Sequence, residues 1–559
     1  MVALLLLTAC EKPAVEPKYE SIDYNVILIS IDTLRADHLG AYGYPRNTSP
    51  NIDSFAKDSI VFKSAIAQAP STLPSHASIF TGMIPVHHGA FAAHQSPIDE
   101  DIPTLPEIMR DAGFRAAGFN GGGLVAPVYG FYRGFEEYVA DRENDRFQDK
   151  VDAGVNWIDG LDGDKFFLFL HTYEVHDPYS PDPELLAQFE DGYSGKLSNN
   201  IGPNELAAIN RYDATVSPED IQHIVNAYDA EILSMDNAFG NLIRYLKEKG
   251  IYDDTLIIFT SDHGEEFGEH GGIGRHFFTL YDELIHIPLI MKMPGSSVAG
   301  TVVDDQVRSI DIFPTVLDIV AVNNESGIDG TSLVPLALGD AADPLVAISQ
   351  QDTSDALPPT SIRTEAQKLI VRPNDYVELG SSYPWFKDKF EFLSDATTVI
   401  LSLASADTER DIKISVEGVS SKMVRIGREP KIINVILRFG GQPGSEEDDS
   451  VEGVRQSSDG ASRVVVESMS PCVNAEAAGI ATELECVSFA SYDPQEYYLL
   501  DSDPGEHHNL YESAQYLDEI DALRNRLKTE ISRNPATEID AVEIDDETRK
   551  QLKSLGYLN

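Results

Sequence analysis

The chain has 559 residues and is short of three things: cysteine, basic side chains and long apolar runs. Its three cysteines, Cys10, Cys472 and Cys486, form no CxxC pair and no Cys/His pattern, which argues against a thiolate zinc site. Cys472 and Cys486 either close a short disulfide in an oxidising compartment or stay as two thiols. Lys and Arg number 42 against 92 Asp and Glu, a formal net charge of −50. So few cations argue against general nucleic-acid binding, whose affinity comes from neutralising phosphates. They argue equally against docking on an anionic bilayer through a basic patch. An anionic substrate stays open, because a metal ion and a few basic side chains reverse the local field. The N-terminal apolar run, residues 2–7, falls far below the roughly 20 residues that span a bilayer.

What is present alternates between two periods. Residues 25–32 (NVILISID) form a continuous apolar run that ends in a carboxylate. Such a run suits a buried strand of a parallel sheet, with the acid at its C-terminal edge. Residues 166–171 (FFLFLH), 255–262 (TLIIFTSD) and 287–291 (IPLIM) repeat the pattern, and 114–119 repeats it more weakly. Helical spacing intervenes, most clearly from Ser217-Pro218-Glu219-Asp220, where Ser caps and Pro takes the first helical position, to Gly250. Strands alternating with helices predict an α/β fold: a mostly parallel central sheet with helices on both faces. The pattern changes near residue 345, where short β-type runs begin and predict a smaller, β-rich C-terminal subdomain. Residues 441–460 hold six acids against one Arg among Gly and Ser and read as a loop; 513–532 reads as an amphipathic helix. The expected organisation is 1–9 leader, 10–24 tether, 25–345 main domain, 346–515 β-rich subdomain with an insert, and 516–559 helical tail.

Open α/β sheets bind ligands at the C-terminal edge of their strands. Asp32 and the Asp262-His263 pair both stand at such strand ends. Together they offer two carboxylates and an imidazole, which suits a hard or borderline divalent cation. A lone strand-end Asp would instead be a helix N-cap. Between them, Pro74 fits the first turn of a helix running to Thr81, which places Thr72 just ahead of a helix N-terminus where an anion is favoured. A hydroxyl is a poor nucleophile until a base or metal activates it; the plainer reading makes Thr72 or Ser71 a cap. His171 and His176 flank the end of the FFLFLH strand, and His176 falls on a turn where it can act as an acid. His270, Arg275 and His276 follow in a glycine-rich loop that can reach an oxyanion.

The order of these pieces resembles the sulfatase family of the alkaline phosphatase superfamily. NVILISIDTLRADHLGAYG is similar to that family's first metal-binding strand. SPNIDSFAKDSIVFKSAIAQAPSTLPSHASIFTG is similar to its nucleophile segment. FLFLHTYEVHDPY, YDAEILSMD, FTSDHGEEFGEHG, LYDELIHIPLIMKMPG, YYLLDSDPGEHHNL and LKSLGYL follow in order, leaving roughly 375–490 as a divergent part. The resemblance implies that Asp32, Thr72, Asp262 and His263 hold one divalent ion, Ca²⁺ on the family pattern, with Mn²⁺, Zn²⁺ and Mg²⁺ open. It implies Thr72 as nucleophile, His176 as the substrate-contacting or leaving-group His, Arg275 or His276 as the cation for the sulfate oxygens, and His76 as a further substrate contact. Three departures stand out. Thr72 replaces the Cys or Ser that becomes formylglycine, His76 replaces the motif's Arg, and Thr33 replaces a second Asp. The Asp, Thr, Asp, His set also resembles superfamily members that use an unmodified Thr on phosphoesters.

Leu7-Thr8-Ala9-Cys10 resembles the lipobox of a bacterial lipoprotein signal peptide, without the basic residues that usually precede the apolar run. That resemblance implies lipidation at Cys10 and an exported chain anchored to the bacterial envelope, on the periplasmic side or the outer membrane. The expected function is a metal-dependent hydrolase of sulfate esters or related phosphate esters, small or glycan, touching the membrane only through its lipid. A phosphodiesterase, phosphonate hydrolase or phosphotransferase of the same superfamily is the alternative. A non-catalytic lipoprotein that binds anionic glycans is another.

Overall fold

A computed structural model describes residues 24–371 and 495–555, apart from breaks at 143–144, 191, 211–215, 278, 297, 324–326, 354–357, 512, 534–540 and 543. It also gives paired strands between 397 and 465. Cys10, Cys472 and Cys486 lie outside the described residues, and with them the expected lipidation and disulfide.

Ten strands matter for the site: β1 (Asn25–Ile31), β2 (Ile60–Ile66), β3 (Arg115–Asn120), β4 (Glu137–Ala140), β5 (Phe166–Thr172), β6 (Thr255–Ser261), β7 (Glu266–Phe267), β8 (Ile273–Arg275), β9 (His286–Lys292) and β10 (Thr301–Arg308). Eight of them form one sheet in the order β10-β2-β9-β6-β1-β5-β3-β4. β1 pairs in parallel with β5 on one side and β6 on the other. β9 runs antiparallel between β2 and β6. β7 and β8 form a separate small hairpin.

The apolar runs are continuous because both sheet faces are covered. Alternate residues of a strand point to opposite faces. Val26 and Leu28 of β1 enter one core with Phe167 and Phe169 of β5 and Leu256 and Ile258 of β6. Ile27, Ile29 and Ile31 enter the other with Leu168, Leu170, Ile257 and Phe259. Helix α1 (Thr72–Thr81) covers the first face through Leu73, Ala77 and Phe80. Helix α2 (Pro218–Lys249) covers the second through Ile224, Ile232, Phe239 and Leu242. Ser217 and Asp220 form the expected capping box of α2, and Gly250 ends it at φ 75°, a left-handed position that glycine adopts without a Cβ clash.

The smaller sheet is antiparallel. β11 (Ala347–Gln350), β12 (Thr360–Arg363), β13 (Gln367–Val371) and a last strand, Gln495–Leu499, pair in that order. Helix α3 (Leu517–Ile531) packs Ile520, Leu523 and Leu527 on Ile362, Leu369 and Tyr497. Fully buried Lys368 ties this sheet to the main body. Its ammonium lies 3.0 Å from Asp282 and 2.8 Å from Glu506, and Arg363 joins Asp282 at 2.8 Å. Removing one partner of a buried ion pair strands the others. Lys368→Met is therefore expected to lower the unfolding free energy by about 3–5 kcal/mol in a denaturant titration.

Candidate active site

The site grows from three neighbouring strand ends. The register sets Ile31 of β1 beside Thr172 of β5 and Ser261 of β6. The next residues along β1 and β6 are Asp32 and Asp262, so parallel pairing alone brings the two carboxylates together. Thr33 turns the chain at φ 56°, and its N–H donates to Asp262 Oδ1 at 3.3 Å. Such a backbone costs a β-branched residue roughly 1–3 kcal/mol, which the surrounding contacts must offset.

Asp32, Asp262 and His263 offer ligand atoms all within 4.8 Å of one another, every one of them fully buried. The Thr72 hydroxyl donates to Asp32 Oδ2 at 3.2 Å and lies 3.4 Å from His263 Nε2. The structure corrects one detail here. Thr72 is the first residue of α1 and not the residue ahead of it; Ser71, in extended conformation, is the N-cap. Pro74 tolerates this because a proline anywhere in the first turn removes no helical hydrogen bond.

Asp32 Oδ1 and Asp262 Oδ2 are buried with no hydrogen-bond partner. Burial, reinforced by the charge of Asp262, pushes the Asp32 carboxyl well above its ordinary range. Two orphaned carboxylate oxygens beside a hydroxyl and an imidazole are the donor set a divalent cation satisfies, so the residues present fit the metal that the family pattern implies.

Two histidines stand behind the carboxylates. His76 Nδ1 donates to the Thr72 carbonyl at 2.9 Å and is 3.4 Å from Asp262 Oδ2, while its Nε2 meets Ser30 Oγ at 3.0 Å. The side chain is fully buried, and burial lowers its pKa to about 4. His76 thus links the helix, the sheet and the Asp262 carboxylate. His171, one register step from β1, points Nε2 at Asp32 Oδ2, 3.5 Å away. The Gly121 N–H donates to its Nδ1 at 3.5 Å, and burial again lowers the pKa to about 4.

On the open side, His176 Nδ1 lies 2.7 Å from the Asp177 carbonyl and 2.9 Å from its carboxylate. Burial alone would lower the His176 pKa. The Asp177, Asp32 and Glu265 carboxylates outweigh it and hold the pKa up at about 10. The His176 ring is 4.9 Å from His276, and His276 is 4.5 Å from His263. Glu265, for which no motif gives a signal, meets His276 Nδ1 at 3.1 Å. Arg275 Nε binds Glu266 at 2.7 Å across the β7–β8 hairpin.

A cavity of about 430 Å³ opens beside His176, lined by Arg142, Arg146, Tyr173 and, from helix α4 (Asp546–Ser554), Lys550 and Gln551. Gln551 Oε1 accepts from the Gly123 N–H at 2.9 Å, and the Tyr173 hydroxyl donates to the Gly122 carbonyl at 3.1 Å. The C-terminal helix is thus fastened to the loop that follows β3. Sequence spacing held no signal for Arg142, Arg146 or this long-range contact.

Parallel sheet, strand-end carboxylates and a helix-borne hydroxyl define an α/β ester hydrolase of the alkaline phosphatase type. Residues 24–322 match the family model described as Sulfatase. The chain belongs to the sulfatase family, and with it to the ester hydrolases. It is 24% identical over 426 residues to the N-acetylglucosamine-6-O-sulfatase of Bacteroides thetaiotaomicron, covering 61% of this chain and 75% of that one. It is 27% identical over 404 residues to the multifunctional alkaline phosphatase superfamily protein PehA of Trinickia caryophylli, covering 57% and 78%. Among solved structures, the phosphonate monoester hydrolase of Agrobacterium radiobacter superposes with a TM-score of 0.60 at 18% identity, over 94% of this chain and 98% of that one. The mostly parallel sheet with a small antiparallel C-terminal sheet is the fold these neighbours share.

Proposed function

We propose that this protein hydrolyses sulfate esters or related phosphate esters through Thr72, with one divalent cation held by Asp32, Thr72, Asp262 and His263. The observation that carries the reading is the Thr72 hydroxyl, on the first residue of α1, 3.2 Å from Asp32 and 3.4 Å from His263. When bound, the cation supplies charge neutralisation and makes the hydroxyl more acidic. Ca²⁺ is the ion of the family pattern; Mn²⁺, Zn²⁺ and Mg²⁺ suit the same donors.

The chain's own residues do the rest. Thr72 Oγ1 forms a bond to sulfur or phosphorus as the bond to the alcohol oxygen breaks, and its proton is already directed at Asp32 Oδ2. The first N–H groups of α1 have no helical partner and face developing negative charge. The His276 ring lies 4.5 Å from that of His263. His176 gives its proton to the departing alcohol oxygen. Water then splits the threonine ester and releases the anion. Family membership favours sulfate. The threonine favours phosphate or phosphonate, because a threonine sulfate has no hemiacetal route for release and must be cleaved by water directly.

The test is a panel of aryl sulfate, phosphate monoester, phosphate diester and phosphonate, each with Ca²⁺, Mn²⁺ or Zn²⁺. Turnover of one ester class supports the reading. No turnover on any of them with cation bound overturns it in favour of a glycan-binding protein. The lipobox-like segment supports export and an anchor at Cys10, which mass spectrometry of the mature N-terminus checks.

The His176 acid sets a pH dependence. It works protonated, so activity falls as pH rises through its pKa of about 10. Asp177→Asn removes the main charge that holds this pKa up. The alkaline limb of kcat against pH is expected to move to lower pH, and a limb that stays in place removes His176 from the acid role.

A further inference from the structure

The cavity beside His176 sets three cations, Arg142, Arg146 and Lys550, beside four acids, Asp145, Glu174, Glu231 and Glu547, on a chain whose net charge is −50. Arg146 is half exposed at 49% of its side chain, Lys550 on α4 is exposed, and Arg142 stacks its guanidinium 5.1 Å from the Tyr173 ring centre. The acids around them are mostly turned inward. Asp145 and Glu174 side chains are 6% and 2% exposed, and Glu231 is buried. Glu174 accepts from the Phe147 N–H at 2.7 Å and the Ser234 hydroxyl at 2.6 Å as well as from Arg146. Glu231 accepts from the Ser180 N–H at 2.8 Å. These carboxylates anchor the arginine segment from behind, and a guanidinium keeps further donors for a ligand. Among the lining acids only Glu547 is exposed.

Position completes the argument. His176 and Tyr173 belong both to this cavity and to the wall of the Thr72 site: Tyr173 lies 4.8 Å from His171, and His176 lies 4.9 Å from His276. An alcohol that leaves toward His176 therefore carries its remaining substituents into the cavity. A volume of about 430 Å³ lies within the range of small-ligand sites.

Resting on the hydrolase reading above, we propose that this cavity is a subsite for a second anion. Arg146, Lys550 and Arg142 take a carboxylate or a second sulfate borne by the alcohol part of the ester. The substrate class is then a doubly anionic ester, such as that of an acidic or multiply sulfated sugar. Arg146→Gln combined with Lys550→Gln removes the two exposed cations, and both positions are open enough to keep the fold, which the unfolding midpoint checks.

The experiment is calorimetric titration of the cation-loaded full chain with glucose, glucuronate and glucosamine 2-sulfate. Charge-assisted contacts predict that the anionic sugars bind about tenfold or more tighter than glucose. The double variant is expected to bring all three within about twofold. Tighter binding of only one anionic sugar identifies the anion as carboxylate or sulfate. Equal binding of all three by the parent, no binding of any, or unchanged binding in the double variant overturns the subsite. Binding is read without turnover, so a parent that hydrolyses no ester fails the hydrolase reading and leaves this measurement standing.

Discussion

Thr72→Ala is expected to lower kcat by about a thousandfold or more, while unfolding free energy changes by no more than about 1–2 kcal/mol. The two numbers separate because of where the hydroxyl sits. It bonds Asp32 at 3.2 Å and meets His263 Nε2 at 3.4 Å inside a fully buried site, and a buried hydrogen bond contributes about 1 kcal/mol net. Its methyl loss leaves a small cavity at the end of a well-packed helix. In the proposed reaction the same oxygen is the atom that forms the new bond. The Ser71 and Ser75 hydroxyls are the nearest alternatives in sequence. Ser75 Oγ is committed to the Asp262 carbonyl at 2.7 Å, and Ser71 is the extended N-cap residue outside the helix. Thr72→Ser keeps the hydroxyl and is expected to retain turnover within about tenfold, since only a methyl is lost. Full activity in Thr72→Ala, measured on whichever ester the parent cleaves, removes the nucleophile assignment.

The carboxylates of this site were legible in the sequence for a geometric reason. Residues 25–32 and 255–262 are apolar runs that end in Asp, and such runs suit strands buried on both faces of a parallel sheet. Their adjacency followed once β1 and β6 paired in parallel and in register. The placement of Thr72 came out one position off, because Pro74 fits several positions of a first turn. His76 stands where the nucleophile segment's Arg is expected, but no spacing encodes its contacts with Ser30 of the sheet and the Thr72 carbonyl. Arg275 and His276 could not be told apart from a glycine-rich string; the β7–β8 pairing gives Arg275 to Glu266. The cavity wall from α4 was illegible altogether. Gly123 and Gln551 are 428 residues apart, and no local period encodes a contact of that kind.

Chelation with EDTA is expected to abolish turnover and to lower the thermal midpoint, and Asp262→Asn is expected to abolish turnover and to flatten the pH dependence of the chelated protein's stability. Both follow from one fact: Asp32 and Asp262 are two fully buried carboxyls that share a site. With a cation present their charges are compensated, and a ligand at 100 times its Kd adds about 2.7 kcal/mol to the native state. Without it they repel, and Asp32 answers by holding its proton far above the ordinary range. The sign with pH is then fixed. Between the ordinary carboxylate pKa and the raised one, the native state binds a proton that the unfolded chain has released. Stability of the chelated protein therefore falls as pH rises through that window, and the cation-loaded protein lacks this slope. Asp262→Asn removes one of the two charges and with it the repulsion, so the chelated variant is expected to show a shallower pH slope. It also removes the orphaned Oδ2 that a cation would satisfy, so calorimetry is expected to show metal affinity reduced by about a hundredfold or more. A neutral buried pair that keeps its hydrogen bonds from the Thr33 and His263 N–H groups loses no packing. Equal metal affinity in parent and variant would place the cation elsewhere, and a chelated parent whose stability does not depend on pH would show that the two carboxyls do not share one site.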